Sequence, residues 1–328
     1  MSLSLLLLAF ADAAATSPPS ASTAAAVVSV VASAASPGAA EDRRARTLAH
    51  LNAVRTAAGA GPLAASGMLA LSASRHAGYL SDHGFRSAPS IHAESAGLAG
   101  FSGADPFVRM RDAGYRPSYA TEVVGDIGLR STDTDCVDHL MNTIYHAALM
   151  LGRVTEAGVA YGDGAAAGTC VMDLGAPLLP SDASASTSGG VVRYPSPGST
   201  LATGTFRLAS ENPRPLPSAL PGATSGIPVL VGLREAARAV GRDGPGNIEI
   251  QVFELRDAAD VPVPAVVLAD AEIGGRGVIA DDGLHGAFAA LVPRQPLPPG
   301  RYRVILRVAL DATHVLEPDP WTFVVVGR

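Results

Sequence analysis

The spacing of apolar positions divides the chain into a helical first half and a strand-rich second half. From Glu41, EDRRARTLAHLNAVRTAAG places Leu48, Leu51 and Val54 on one face of a helix that ends at Gly59 or Gly61. Pro62-Leu63 turns the chain into a second helix, Ser66–His83, whose Leu69, Ala73, His76 and Leu80 share a stripe, with His76 packed as a hydrogen-bonded structural histidine. Pro89–Gly103 holds too many glycines and small residues for a regular helix and reads as a long loop carrying His92 and Glu94. A third helix, Asp105–Ala113, stops at Gly114, and Glu122 falls in the extended or turn stretch that follows. Asp135–Met150 reads as one helix on the recurrence of Val137, Leu140, Met141 and Ile144, with Asp133 or Asp135 available to cap its start. His139, Asn142 and His146 recur along it three or four residues apart. Gly158–Tyr161 and Thr169–Leu174 are short apolar strands.

Leu178–Gly190 is a linker by composition, and beyond it the pattern changes to short apolar runs separated by Pro and Gly. Val191–Tyr194, Gly204–Leu208, Ile227–Val231, Ile248–Leu255, Val261–Leu268, Tyr302–Leu310 and Trp321–Val326 are candidate strands, and seven of them fit an antiparallel, immunoglobulin-like sandwich. The stretch Arg234–Gly246 interrupts that series. His285 and His314 stand apart from other titratable groups, so this half reads as a spacer or binding module rather than a catalyst.

A length of 328 residues suits two domains. Leu3–Phe10 is a short apolar core followed by the small residues ADAAA, which reads as a secretory signal over residues 1–15, and residues 16–40 form an Ala/Ser/Pro lead expected to be disordered. No later run is long and apolar enough for an integral membrane span. The chain has no lysine, its formal net charge is −6 and no basic stripe interrupts it, so nucleic acid is not an expected partner.

In order and spacing, LNAVRTAAGAGPL, SRHAGYL, IHAES with GFSG, VRMRDAGY, TEVVG, HLMNTIYH and EAGVAYG resemble a bacterial CAP domain, of the cysteine-rich secretory, antigen five and pathogenesis-related superfamily, over residues 41–177. That resemblance implies an α+β chain: a three-layer α-β-α CAP sandwich with an open cleft, then the all-β immunoglobulin-like sandwich over residues 191–328. It also implies that His92, Glu122 and His146 line the cleft. The glutamate that many relatives carry earlier on the last helix has no counterpart; Asn142 and Thr143 stand there, and Glu94 is the reserve carboxylate. Val123, Leu140 and Ala147 replace an asparagine, a tryptophan and an arginine of the family pattern, which removes support around the cleft.

Two imidazoles and a carboxylate are the ligand set of an open divalent-metal site such as zinc, and equally of a metal-free general-base pair. Cys136 and Cys170 pair as a disulfide in an exported protein, the alternative being two buried thiols. The expectation is a secreted, periplasmic or envelope-associated protein that binds a lipid, a cell-wall glycan or a protein. The alternative is a hydrolase using the same cleft, although no G-x-S-x-G or H-E-x-x-H nucleophile or zinc motif is present.

Overall fold

A computed structural model describes residues 37–85, 88, 90–127, 132–163, 168–179, 190–211, 214–215, 218, 220–241 and 248–327. The expected signal and most of the lead, residues 1–36, lie outside the described residues, as do residues 180–189 of the linker. Residues 37–40, assigned to the lead, instead form the first turn of a helix.

The first half runs α1 (Pro37–Ala58), β1 (Ala64–Ala65), α2 (Gly67–His83), α3 (Pro106–Asp112), β2 (Pro117–Asp126), α4 (Asp135–Met141), α5 (Tyr145–Leu151), β3 (Glu156–Asp163) and β4 (Gly168–Pro177). Local chemistry sets several of these limits. Gly59 accepts the left-handed φ of 88° that ends α1. Asp105 caps α3 by accepting from the Val108 amide at 2.9 Å, with Pro106 in the first turn. The four strands lie in the order β1-β3-β4-β2, with β4 antiparallel to both neighbours and β1 parallel to β3.

Helices cover both faces of this sheet. Ala73, Ala77 and Leu80 of α2 pack with Val124, Ala160 and Val171, whereas Cys170, Met172 and Leu174 of β4 join Leu51 of α1, Val137 and Leu140 of α4 and Ala147 and Met150 of α5. The alternation along β4 therefore sorts its side chains between two helical layers. On β3, Gly158 lets α2 lie flush on the strand, since a Cβ there would collide with the backbone of Leu69 and Ala70. The disulfide Cys136–Cys170 has formed and ties the start of α4 to β4; His146 is on α5, so the bridge braces its helix only through α4.

The expected single helix 135–150 is two helices. The ladder breaks at Asn142–Ile144, where Thr143 Oγ1 turns back to the Leu140 carbonyl at 2.7 Å. The new start at Ile144–Tyr145 is met by the carboxylate of Glu211, whose Oε1 accepts from the Ile144 amide at 2.6 Å and the Tyr145 amide at 2.8 Å. Neither aspartate caps α4 as expected: Thr134 holds the cap position, and Asp135 accepts from the Thr132 amide instead.

The second half consists mostly of strands: β5 (Val192–Tyr194), β6 (Thr200–Leu201), β7 (Thr205–Arg207), β8 (Thr224–Gly226), β9 (Val229–Gly232), β10 (Ile248–Arg256), β11 (Ala265–Ala269), β12 (Ile273–Gly275), β13 (Val278–Ala280), β14 (Phe288–Pro293), β15 (Gly300–Ala309), β16 (Val315–Leu316) and β17 (Trp321–Val325), with one short helix, α6 (Arg234–Ala239). One sheet runs β12-β10-β15-β17-β6 with β16 beside β15, a second β13-β11-β14-β9-β5, and β7 pairs with β8 in a two-stranded sheet. The pairs β10–β12, β11–β13 and β17–β6 are parallel, so the expected purely antiparallel pattern does not hold.

The sheet containing β14 is buried on both faces. Val229, Val231, Ala289 and Leu291 face the other sheet's Phe253, Tyr302, Val304 and Phe323. Leu230, Val266, Phe288, Ala290 and Val292 instead share an apolar cluster with Leu51, Leu140, Met150 and Met172 of the first half. The two halves thus meet through a common core. Tyr145 crosses the junction, its hydroxyl donating to the buried Asp281 carboxylate at 3.0 Å.

Candidate functional site

Three elements supply the expected cleft residues: the loop before α3 carries His92, β2 carries Glu122 and α5 carries His146. His92 and Glu122 meet, with His92 Nδ1 donating to Glu122 Oε1 at 2.9 Å. The Glu122 side chain is fully buried, and its other oxygen accepts from Arg109 Nη2 at 2.7 Å. Burial pushes the Glu122 pKa up, but the His92 hydrogen bond and the positive charges of His76, Arg109 and His92 overcome it and hold the group at about 2. Arg109 is fully buried and also donates to the carbonyls of His92 at 3.1 Å and Gly103 at 3.3 Å.

A second layer lies behind this pair. His76 is buried with Nδ1 on Glu94 Oε1 and Nε2 on the Ile91 carbonyl, both at 2.9 Å, so neither ring nitrogen is left for a ligand, in line with its structural reading. Glu94 is not an exposed loop carboxylate: it is buried and accepts from the Ser102 amide at 2.6 Å and the Ser102 hydroxyl at 3.1 Å. Burial works against its ionisation, yet the bonds from His76 and Ser102 and the charge of Arg109 leave its pKa below the ordinary value. Directly across the β2–β4 ladder from Glu122 stands Asp173, wholly buried, with no hydrogen-bond partner for either oxygen among the described residues. Burial and the Glu122 charge raise its pKa well above the ordinary value, the opposite direction to Glu122.

His146 is held separately. Its Nδ1 lies 3.1 Å from Thr143 Oγ1, whose own hydrogen goes to the Leu140 carbonyl, so the ring donates from Nδ1 and leaves Nε2 bare. Burial, then the charges of His92 and His139, lower its pKa to about 4, and the imidazole is neutral at pH 7. Glu211 Oε2 is 3.6 Å away, a polar contact rather than an ion pair. The His92 side chain is 31 % exposed and that of His146 16 %, and neither Nε2 makes a hydrogen bond among the described residues. Asn142 ends α4 half-buried, its side chain unbonded among the described residues, and His139 is exposed.

The expected metal set does not fit this geometry. Glu122 has both oxygens engaged, which leaves two imidazoles where an open zinc site needs three protein ligands. Among the described residues no group of three or more His, Cys, Asp or Glu side chains is arranged to hold a metal ion.

Arg109, Asp173 and Glu211 escape the sequence reading. Arg109 lies in the quoted VRMRDAGY, where an arginine on a short helix reads as a solvated face, and Asp173 interrupts an otherwise apolar strand. Glu211 titrates oppositely to His146: burial lifts its pKa to about 7 against the bonds from the Tyr145 and Ile144 amides. Because the folded state holds this proton more tightly, the contribution of Glu211 to stability is complete below about 4.5 and is lost as pH rises through about 7. That of His146 is complete above 6.5 and is lost as pH falls through about 4. Glu211→Gln keeps an acceptor for the two amides but removes the titration. The stability difference, wild type minus variant, is therefore expected to fall by up to about 3 kcal/mol between pH 4.5 and 7. Urea midpoints across that range measure it, and parallel curves refute the assignment.

A comparison with curated proteins returned no match. Among solved structures, the crystal structure of PcoC, a methionine-rich copper resistance protein from Escherichia coli, aligns at 17% identity over 40% of this chain and 92% of that one, with a TM-score of 0.23, too low to equate folds. Within the chain, no described helix is long and apolar enough to cross a membrane. Residues 48–174 match the family model CAP, the cysteine-rich secretory protein family.

Proposed function

We propose that this is a secreted or envelope-associated protein that binds a ligand in the cleft lined by His92 and His146, with Glu122 as the residue that orients His92. The observation carrying this reading is the double engagement of Glu122: a buried carboxylate held by His92 and Arg109, with its pKa at about 2, is a poor proton acceptor at neutral pH. Its service is to fix the imidazole so that Nε2 meets a ligand. The CAP match supports an extracellular, ligand-binding role, and the disulfide fits an oxidising compartment.

The loop bearing His92 also exposes Leu98 and Phe101, and Phe107 at the start of α3 is 53 % exposed. Aromatic and aliphatic groups on and next to the loop that carries the His92 imidazole favour a ligand with an apolar face and polar edges, and among lipid, glycan and protein this supports a cell-wall glycan first. Co-sedimentation of the full chain with purified peptidoglycan tests it. Retention of the wild type and release of His92→Ala and His146→Ala is the expected result. Equal retention of all three, or none of any, removes the glycan. Hydrolysis of the glycan that stops in His92→Ala would replace binding with catalysis.

A further inference from the structure

At the junction of the two halves, the end of α5, the approach to β3 and the start of α6 enclose a cavity of about 220 Å³. Three guanidinium groups line it, from Arg153, Arg234 and Arg238, and an adjoining depression of about 290 Å³ shares Arg153 and Arg238 and adds Tyr119. Glu235 is the sole acid lining either space, 3.3 Å from Arg238 Nη1. Arg55 also borders the cavity, but its guanidinium is spent on the carbonyls of Gly61, Met150 and Val154.

The other arginines are not spent in this way. Arg153 stacks over the Tyr119 ring at 4.1 Å and makes no hydrogen bond or ion pair among the described residues. Arg234 makes none either, and its Nε is buried without an acceptor. Burial and the neighbouring charges of Arg153 and Arg238 lower the Arg234 pKa, so the cluster works against itself as it stands. A chain of net charge −6 thus gathers cations at one concave place without supplying the acids to balance them.

We propose that this junction binds a phosphate-bearing ligand, held by the forks of Arg153 and Arg234 with Arg238 at the rim. Four arginines, Arg55 among them, against one glutamate leave a surplus of positive charge, which suits a dianionic phosphomonoester near neutral pH. A single carboxylate engages one fork, whereas a tetrahedral oxyanion presents oxygens to several. Val154, Val192 and Phe288 on the wall accept an apolar portion beyond the phosphate. The same headgroup chemistry belongs to a soluble phosphomonoester and to a phosphatidic-acid surface. The site shares no residue with the His92–Glu122 network, and its test is independent of the cleft.

Calorimetric titration of the full chain with inorganic phosphate at constant ionic strength, beside flotation with phosphatidic-acid and phosphatidylcholine vesicles, makes the test. Saturable phosphate binding is expected, weakened at least about tenfold in Arg153→Ala and in Arg234→Ala. Arg234→Lys keeps the charge and loses the fork, and should fall between. Flotation with phosphatidic-acid vesicles alone assigns the site to lipid, and phosphate binding without flotation assigns it to soluble ligands. No response to either probe overturns the proposal, as does unchanged affinity in the Arg153→Ala/Arg234→Ala chain. Neither guanidinium makes a hydrogen bond among the described residues, so both variants should retain the wild-type circular dichroism spectrum, which is checked first.

Discussion

Replacing Arg109 with methionine is expected to destabilise the fold by about 3–5 kcal/mol at pH 7, measured as a shift of the urea midpoint. The guanidinium is fully buried and lies 2.7 Å from Glu122, a carboxylate facing the equally buried Asp173 on the neighbouring strand. Methionine fills much of the volume but leaves an ionised group in an apolar interior with only His92 and His76 to answer it. The chain must protonate Glu122, expose it or unfold. The companion experiment is Arg109→Met with Glu122→Gln, which removes both charges together. Since the cost lies in the orphaned ion more than in the lost attraction, the double variant should recover a substantial part of the loss. A loss below about 1 kcal/mol for Arg109→Met alone would mean that the pair is no more than a surface-grade contact.

Loss of the Cys136–Cys170 bridge is expected to cost about 3–4 kcal/mol in the chain-entropy treatment of a closed loop of this length. The bridge spans 34 positions and joins the first turn of α4 to the central strand β4. Both cysteines are fully buried in the apolar cluster, so the paired change to alanine removes two sulfurs from the core as well as the crosslink. Unfolding of the Cys136→Ala/Cys170→Ala chain, compared with wild type with and without reductant, separates these contributions. Reduced wild type should lose the crosslink alone and lie between the other two. Coincident transitions for oxidised and reduced wild type would show that the bridge adds nothing.

Much of the first half was legible from pattern. The stripe of Leu69, Ala73, His76 and Leu80 is buried as read, and glycines and prolines mark the ends of α1 to α3. His92 and Glu122 are 30 residues apart in the chain and were brought together only by the family resemblance, yet they share a hydrogen bond. Where reading failed, the deciding partner lay far along the chain. The break at Asn142–Ile144 depends on a carboxylate 67 residues beyond Ile144, and nothing within a helical window announces it. β14 was missed for a different reason. A strand covered on both faces carries no alternation, and Phe288–Pro293 is apolar at every position. Arg109 is a charge whose burial depends on Glu122, 13 residues along the chain, which its local window does not announce.

The capping of α5 by Glu211 also puts the candidate site on a clock. A ribosome delivers Tyr145 66 residues before Glu211, so the nascent first half waits with the first amides of that helix unanswered. His92 and Glu122 are already present by then, and His146 has been made but its helix is not yet anchored. Completion of the cleft is therefore tied to the arrival of the second half, and a chain that stops early carries the residues of the site without its finished form.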